Sequence, residues 1–319
     1  MLVWDNLRSA PACLLAQRSL LEDDLAPDGA HAEDIMSQMR NDTSATEHMA
    51  PGRIYALIDG ARSLFLPERL EVSGLEHVCL YEHRHLSDEG ATAPWLVELD
   101  PNSKFARATF MHDAQGLQPR AMFGAGIWLT SRHDLNDLRA HLRRYTQVTD
   151  ERGATEFFRL AEPGMLDALL YASNDAEVSA FFSSVSHIFY PWPALEAGRF
   201  SIQSVTAQVD GAARVAVPAI DAKTRRVFED FVTDRTARRM AVDCQSDPRD
   251  RADAYPIFMR LLRAGFDHEP RLQEAFDLLR KMPPEGHAPF WTEVESGNHS
   301  LRRIMLVYRD HYQIEGVLE

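Results

Sequence analysis

Between Arg53 and Leu170 the chain keeps changing its hydrophobic period, and that alternation restricts the fold more than any other feature. Short apolar runs of strand length are separated by segments whose apolar residues recur every three to four positions. RIYALI (53–58) is β-branched and aromatic and ends at the turn signal Asp59-Gly60, and LFLPERLEVSG then holds a helical stretch stopped at Gly74. EHVCLY (76–81) and PWLVEL (94–99) read as the next strands, Asp100-Pro101-Asn102-Ser103 opens a helix through Phe105 and Phe110, and MFGAGIWLTS (122–131) reads as a buried strand. Ser131 or His133-Asp134 caps a helix with Leu135, Leu138, Leu142 and Tyr145 on one face. YTQVTDERGATEFFRL reads as a hairpin turning at Asp150 to Gly153. Strands alternating with helices and followed by a hairpin predict an α/β fold of the α+β kind, a mixed sheet with flanking helices.

Beyond Pro163 the pattern turns helical, in GMLDALLYA and DAEVSAFFSSV, with a returning strand at Val185 to Tyr190. Pro191 to Pro218 reads as an irregular connector with one hairpin at most. Helices are then predicted at Ala222 to Ala241, Tyr255 to Ala264, Pro270 to Met282 with Asp267 as a possible cap, and Ser300 to Tyr312. The expected organisation is therefore an extension over 1–52, an α/β lobe over 53–190 and a mainly helical lobe over 191–319. The first 50 residues hold nine carboxylates and three arginines. Two patches, Leu14 to Leu25 and Ala32 to Met39, are helix-like, and polar, breaker-rich spacers separate them. This stretch is read either as a poorly ordered acidic tail or as one that orders against the body.

Lys and Arg number 34 against 48 Asp and Glu, a net charge of −14. Nucleic-acid backbones and anionic membranes both attract cationic surfaces, so neither partner is expected. The chain has no stretch of 18 consecutive apolar residues and no signal-peptide pattern, and its three cysteines, Cys13, Cys79 and Cys244, lie far apart, so a cytoplasmic setting is expected.

The familiar catalytic signatures are missing: the sequence contains no G-x-S-x-G, P-loop, H-E-x-x-H or Cys-x-x-Cys. No catalytic residue and no cofactor is therefore expected. Gly124 and Gly126 form half a dinucleotide fingerprint with Leu129 in the third glycine position, and are read as small residues letting a buried strand approach a neighbouring helix. The most metal-like cluster is His77, Cys79, His83 and His85, because a strand sets His77 and Cys79 on one face and zinc accepts such ligands. It matches no standard finger spacing, so the favoured reading is a core cysteine with solvated histidines, and a metal-dependent enzyme is the alternative. Asp137 and His141 lie one helical turn apart, where a surface pair is favoured over an oriented base. Arg139, Arg143 and Arg144 on one helix and Arg235, Arg238 and Arg239 on another, beside Arg225 and Arg226, make local basic surfaces of the kind that are usually solvated faces, and because the C-terminal lobe is the less acidic one, an acidic partner would be steered to that lobe. Trp192, between Pro191 and Pro193, is the tryptophan expected to be an exposed contact, whereas Trp95 and Trp128 fall in strands and are assigned to the core.

The succession YALIDGA (55–61), GLEHVCLYE (74–82), APWLVELDPNS (93–103), GIWLTS (126–131), DLRAHLRRYTQV (137–148) and EFFRLAEPGMLDALL (156–170) resembles, in order and spacing, the family described as domain of unknown function 4123. The resemblance covers roughly 53–190. It implies a non-enzymatic adaptor, or effector chaperone, of bacterial type VI secretion. Such a protein holds the N-terminal segment of a toxin effector and brings it to the C-terminal region of a valine-glycine-repeat (VgrG-type) spike protein. A structural component of the same apparatus is a second alternative. Where the family tends to read Phe-Arg-Phe-Tyr-Asp-Pro, this chain has Phe158-Arg159-Leu160-Ala161-Glu162-Pro163. The resemblance thus implies an Arg159 to Glu162 contact and the loss of an aromatic side chain.

Overall fold

A computed structural model describes residues 14–20, 32–44, 52–81, 91–111, 122–194, 199–207, 219–244 and 248–316. Met1–Trp192 with Phe200–Val232 make one unit, and Pro193–Arg199 with Thr233–Glu319 make another. The first unit contains, in chain order, β1 (Leu14–Leu20), α1 (Ala32–Ser44), β2 (Arg53–Asp59), α2 (Leu66–Ser73), β3 (His77–Cys79), β4 (Pro94–Glu98), α3 (Lys104–Thr109), β5 (Gly126–Ser131), α4 (Leu135–Leu142), β6 (Gln147–Asp150), β7 (Thr155–Phe157), α5 (Met165–Ala172), α6 (Asp175–Phe182), β8 (His187–Ala194), β9 (Arg199–Ala207), β10 (Ala219–Ile220) and the start of α7 (Ala222–Cys244). The fold is α+β. Seven strands form a sheet in the order β1-β9-β8-β5-β2-β4-β3, and three form a second sheet in the order β10-β6-β7.

β2 explains why the sequence pattern was so continuous. It lies between β4 and β5, antiparallel to both, and every residue after Arg53 is buried. Alternation sends Ile54, Ala56 and Ile58 into a core shared with Ile35, Met36, Leu66, Leu70 and Phe105, and Tyr55 and Leu57 into one shared with Leu138, Leu142, Leu169 and Phe181. A strand covered by helices on both faces has no polar alternation to display. Gly126 of β5 is required by the pairing itself, since a Cβ there would lie 2.3 Å from the Leu57 carbonyl oxygen of β2. The neighbour that approaches is thus a strand. Trp128 fixes the same region: its indole Nε1 donates to Thr109 Oγ1 at 3.0 Å and its ring stacks on Phe110 with centroids 4.5 Å apart.

Helix starts follow their caps. The side chains of Ser103 and Asp134 accept from the backbone amides of Ala106 and Asp137, and Asn174 and Glu177 form a reciprocal capping box. The extension contributes directly to the core, because Ala32, Ile35, Met36 and Met39 of α1 are buried. The helix-like Leu14 to Leu20 is instead a strand, held by antiparallel pairing with β9, an example of tertiary pairing overriding local propensity. β8 extends through Pro191 and Pro193, and its period of two places Ile188, Tyr190 and Trp192 in one core. Trp192, 5% exposed and packed on Phe231, is therefore a core residue and not the exposed contact that its flanking prolines suggested.

The second unit contains the remainder of α7 and α8 (Pro248–Arg263), α9 (Glu269–Lys281), α10 (Pro284–Ser296) and α11 (Leu301–Tyr312). Their apolar faces meet in one core that includes Phe258, Leu272, Phe276, Phe290, Val294 and Ile304. α8 begins before the predicted Tyr255 and continues across Pro256. The N-cap of α9 is His268, with no side-chain cap, in place of Asp267. α10 was not foreseen, and Pro283, Pro284, Gly286 and Pro289 all disfavour a helix locally. Pro284 sits in the first turn, where a proline leaves no extra donor unsatisfied, and the burial of Phe290, Trp291 and Val294 holds the rest. Among the described residues no helix is long and apolar enough to cross a membrane.

Candidate functional site

Several constraints meet at the C-terminal end of β2. Asp59 is buried, and its carboxylate accepts from the Ala61 amide at 2.9 Å and from Arg159 Nη2 at 2.5 Å. Next to it, a Cβ on Gly60 would lie 2.2 Å from the Ala91 carbonyl oxygen, so only glycine fits. Arg159 also reaches Glu162 at 3.1 Å, and Glu162 accepts from Arg62 Nη1 at 2.9 Å. Asp59, Arg159, Glu162 and Arg62 therefore form one chain of alternating charge. Burial pulls the Arg159 guanidinium toward losing its proton, but the Asp59 hydrogen bond and the fields of Glu162, Asp59 and Tyr81 outweigh it and raise its pKa. Leu160 and Ala161, where the sequence departs from the family pattern, are buried, so these positions face the core.

Apolar side chains project from the segment after this network. Leu64 and Phe65 are 77% and 73% exposed, and Val72 on α2 is 89% exposed. Phe65 has φ 56°, ψ 34°, a left-handed conformation that costs a bulky residue about 1–2 kcal/mol, and it sits as the N-cap of α2 without a side-chain cap bond. Leu64, Phe65 and Val72 flank an open groove of about 770 Å³ whose other wall includes Ser103, Lys104, Phe105 and Ala108. Sequence reasoning missed these residues. The available signal was Val72, which lies off the stripe that Leu66 and Leu70 make on α2.

A second groove, of about 430 Å³, is lined by Leu80, Tyr81, Ala140, Arg143, Arg144, Thr146, Gln147 and Phe157. Tyr81 and Phe157 stand with ring centroids 5.1 Å apart, and Phe157 is 55% exposed. Arg139, on the same helix as the groove residue Ala140, donates from Nε to the Cys79 carbonyl at 2.9 Å and so ties α4 to β3. Arg143 and Arg144 form the helical turn that follows α4. The structure thus places two of the sequence candidates, Arg143 and Arg144, on this groove, with Arg139 on the helix beside it.

The remaining candidates separate. His83 and His85 lie outside the described residues. His77 Nδ1 donates to the Leu75 carbonyl at 2.7 Å while its ring packs on Trp95, and Cys79 is buried, which pushes its thiol pKa up. Among the described residues no group of three His, Cys, Asp or Glu side chains is placed to hold a metal. His141 is not paired with Asp137: it is buried, and its Nε2 donates to the Phe181 carbonyl at 2.8 Å. Burial lowers its pKa to about 4. Asp137 faces His133 instead, at 4.0 Å. In the second unit Arg238 is an internal residue, contrary to the basic surface expected there. The helical period of α7 turns it inward beside Ala237 and Ala241, where it donates to buried Asp234 at 2.8 Å and covers the Tyr255 ring at 4.9 Å. Tyr255 donates to the same carboxylate, and its pKa is pushed up to about 12, first by burial and then by Asp234. Arg239 pairs with Glu269, and Arg235 is half-buried.

Residues 54–180 match the model of one protein family, described as a domain of unknown function (DUF4123). This stretch of the chain is similar to DUF4123 domains. No curated protein and no solved structure matches it. The DUF4123 match begins in β2 and ends within α6, so it contains the Asp59 to Arg62 ion chain and both grooves.

Proposed function

We propose that this protein is a non-enzymatic adaptor that binds the N-terminal region of a type VI secretion toxin effector and loads it onto the valine-glycine-repeat spike protein, in the cytoplasm of the producing bacterium. The observation that carries this reading is the apolar groove at Leu64, Phe65 and Val72 within the stretch similar to DUF4123 domains. An exposed aromatic in a conformation that opposes its own side chain is costly for a chain acting alone, and it serves a surface that another protein covers. The ion chain beside it anchors the chain at Asp59 and Arg62, just before the presenting segment, which limits the ordering entropy lost on binding.

The test is affinity capture of the tagged full chain from its own bacterium under conditions where the secretion system is active, followed by mass spectrometry. The expected result is recovery of one large toxin-like protein together with a spike subunit, with Phe65→Ser lowering that recovery by about tenfold or more, as for an aromatic hot spot. Recovery of neither partner by the unaltered protein overturns the adaptor reading.

A further inference from the structure

The second groove differs from the first in its chemistry. Arg144 is exposed, and among the described residues no carboxylate pairs with it, whereas Arg159, within the field of Tyr81, is held by both Asp59 and Glu162. No carboxylate lines the groove among the described residues, and two arginines do. The opposite wall is apolar and aromatic, made by Leu80, Tyr81 and Phe157. In a protein of net charge −14 this is a local reversal of sign beside an exposed ring pair.

We propose that this groove binds an acidic segment of a polypeptide partner, with a carboxylate at Arg144 and a neighbouring apolar or aromatic side chain against Tyr81 and Phe157. Guanidinium groups take carboxylates through paired N–H donors, and a half-exposed aromatic pair offers area for a ring or aliphatic chain at little loss of side-chain entropy. Polypeptide is favoured over nucleic acid because phosphate backbones require many cationic contacts and are repelled by the acidic remainder of the chain. The proposal extends the adaptor reading by naming the sequence chemistry of a bound segment, and it stands on a groove separate from the one that carries that reading.

The experiment uses the full chain, immobilised, to select from a library of random short peptides displayed on phage, in parallel with Arg144→Glu and with the double variant Arg143→Glu, Arg144→Glu. Circular dichroism and thermal unfolding establish that each variant is folded. The expected result is enrichment of peptides in which Asp or Glu flank an aromatic or large aliphatic residue. A synthetic peptide carrying the enriched sequence should bind about tenfold more weakly to Arg144→Glu, and the difference should shrink as salt is raised. Failure to enrich any sequence, enrichment of neutral or basic sequences, or equal enrichment by the double variant overturns the proposal. So does displacement of the peptide by inorganic phosphate at matched concentration, which would mark a simple anion pocket. Selection needs neither effector nor spike, so the groove assignment fails or stands apart from affinity capture, which tests the adaptor reading alone.

Discussion

The two arginine clusters read from the sequence end in opposite environments. On α4 and the turn after it, Arg139 ties down a strand end while Arg143 and Arg144 face a groove with aromatic residues on its far side. On α7 the same density of arginine is drawn inward and sideways, Arg238 onto buried Asp234 and Tyr255, and Arg239 onto Glu269. Counting charges along a helix does not separate these outcomes. What separates them is the angle around the helix at which a complementary carboxylate sits. Asp234, one turn before Arg238, lies on the buried side of α7, and α4 has no equivalent: its Asp137 is exposed.

Substitutions should break this contrast unevenly. The largest effect is expected for Arg238→Glu, which sets two carboxylates against each other in a buried position and should destabilise the second unit by about 3–5 kcal/mol. Denaturant unfolding followed by the tryptophan fluorescence of Trp291 would measure it, and a loss within experimental error would place Arg238 with the solvated arginines after all. The inner face of α4 supplies the next effect. His141 has its pKa lowered to about 4 in the folded chain against an ordinary 6.5, so the unfolded state binds more protons between those values. Stability should therefore be complete above about pH 6.5 and fall by up to about 3 kcal/mol as the pH drops toward 4. The part of the acid loss that disappears in His141→Gln belongs to this histidine.

Two smaller effects sharpen the comparison. Arg239→Ala removes a largely exposed ion pair with Glu269 and should change stability by less than about 1 kcal/mol, an amount that added salt reduces further. Arg144→Glu should leave thermal unfolding unchanged within about 0.5 kcal/mol while altering peptide capture. A clear destabilisation by Arg144→Glu would mean that its charge supports the fold, and the contrast between the two helices would lose its basis.

The alternating region was legible because burial on both faces of the sheet leaves an uninterrupted apolar run such as that in β2, and because Ser103, Asp134 and Asn174 mark helix starts by local hydrogen bonding. Features that depend on distant partners were not. The sequence shows Asp59-Gly60 as a turn, but nothing near Asp59 reveals that its carboxylate meets Arg159, 100 residues away. Trp192 was misplaced for the related reason that its prolines describe the backbone, whereas its burial is decided by strand phase and by Phe231 on α7. α10 was hidden because proline and glycine act against a helix locally while the packing of Phe290 and Trp291 acts for it. Of the candidate surface, the arginines of α4 were found from sequence, and the aromatic residues facing them were not, since exposure follows from what fails to cover a side chain.

The place of β1 at the end of the large sheet bears on how the protein is made. This earliest described strand pairs with β9, which is the last strand of that sheet to leave the ribosome. Until β9 arrives, residues 14–20 have no native pairing partner, and the sheet from β2 to β8 must assemble without one of its borders. Contacts of such long sequence separation form late, so a bulky fusion at the amino end would interfere with the final step of sheet closure. An affinity handle for the capture experiments belongs on the carboxyl end, beyond α11.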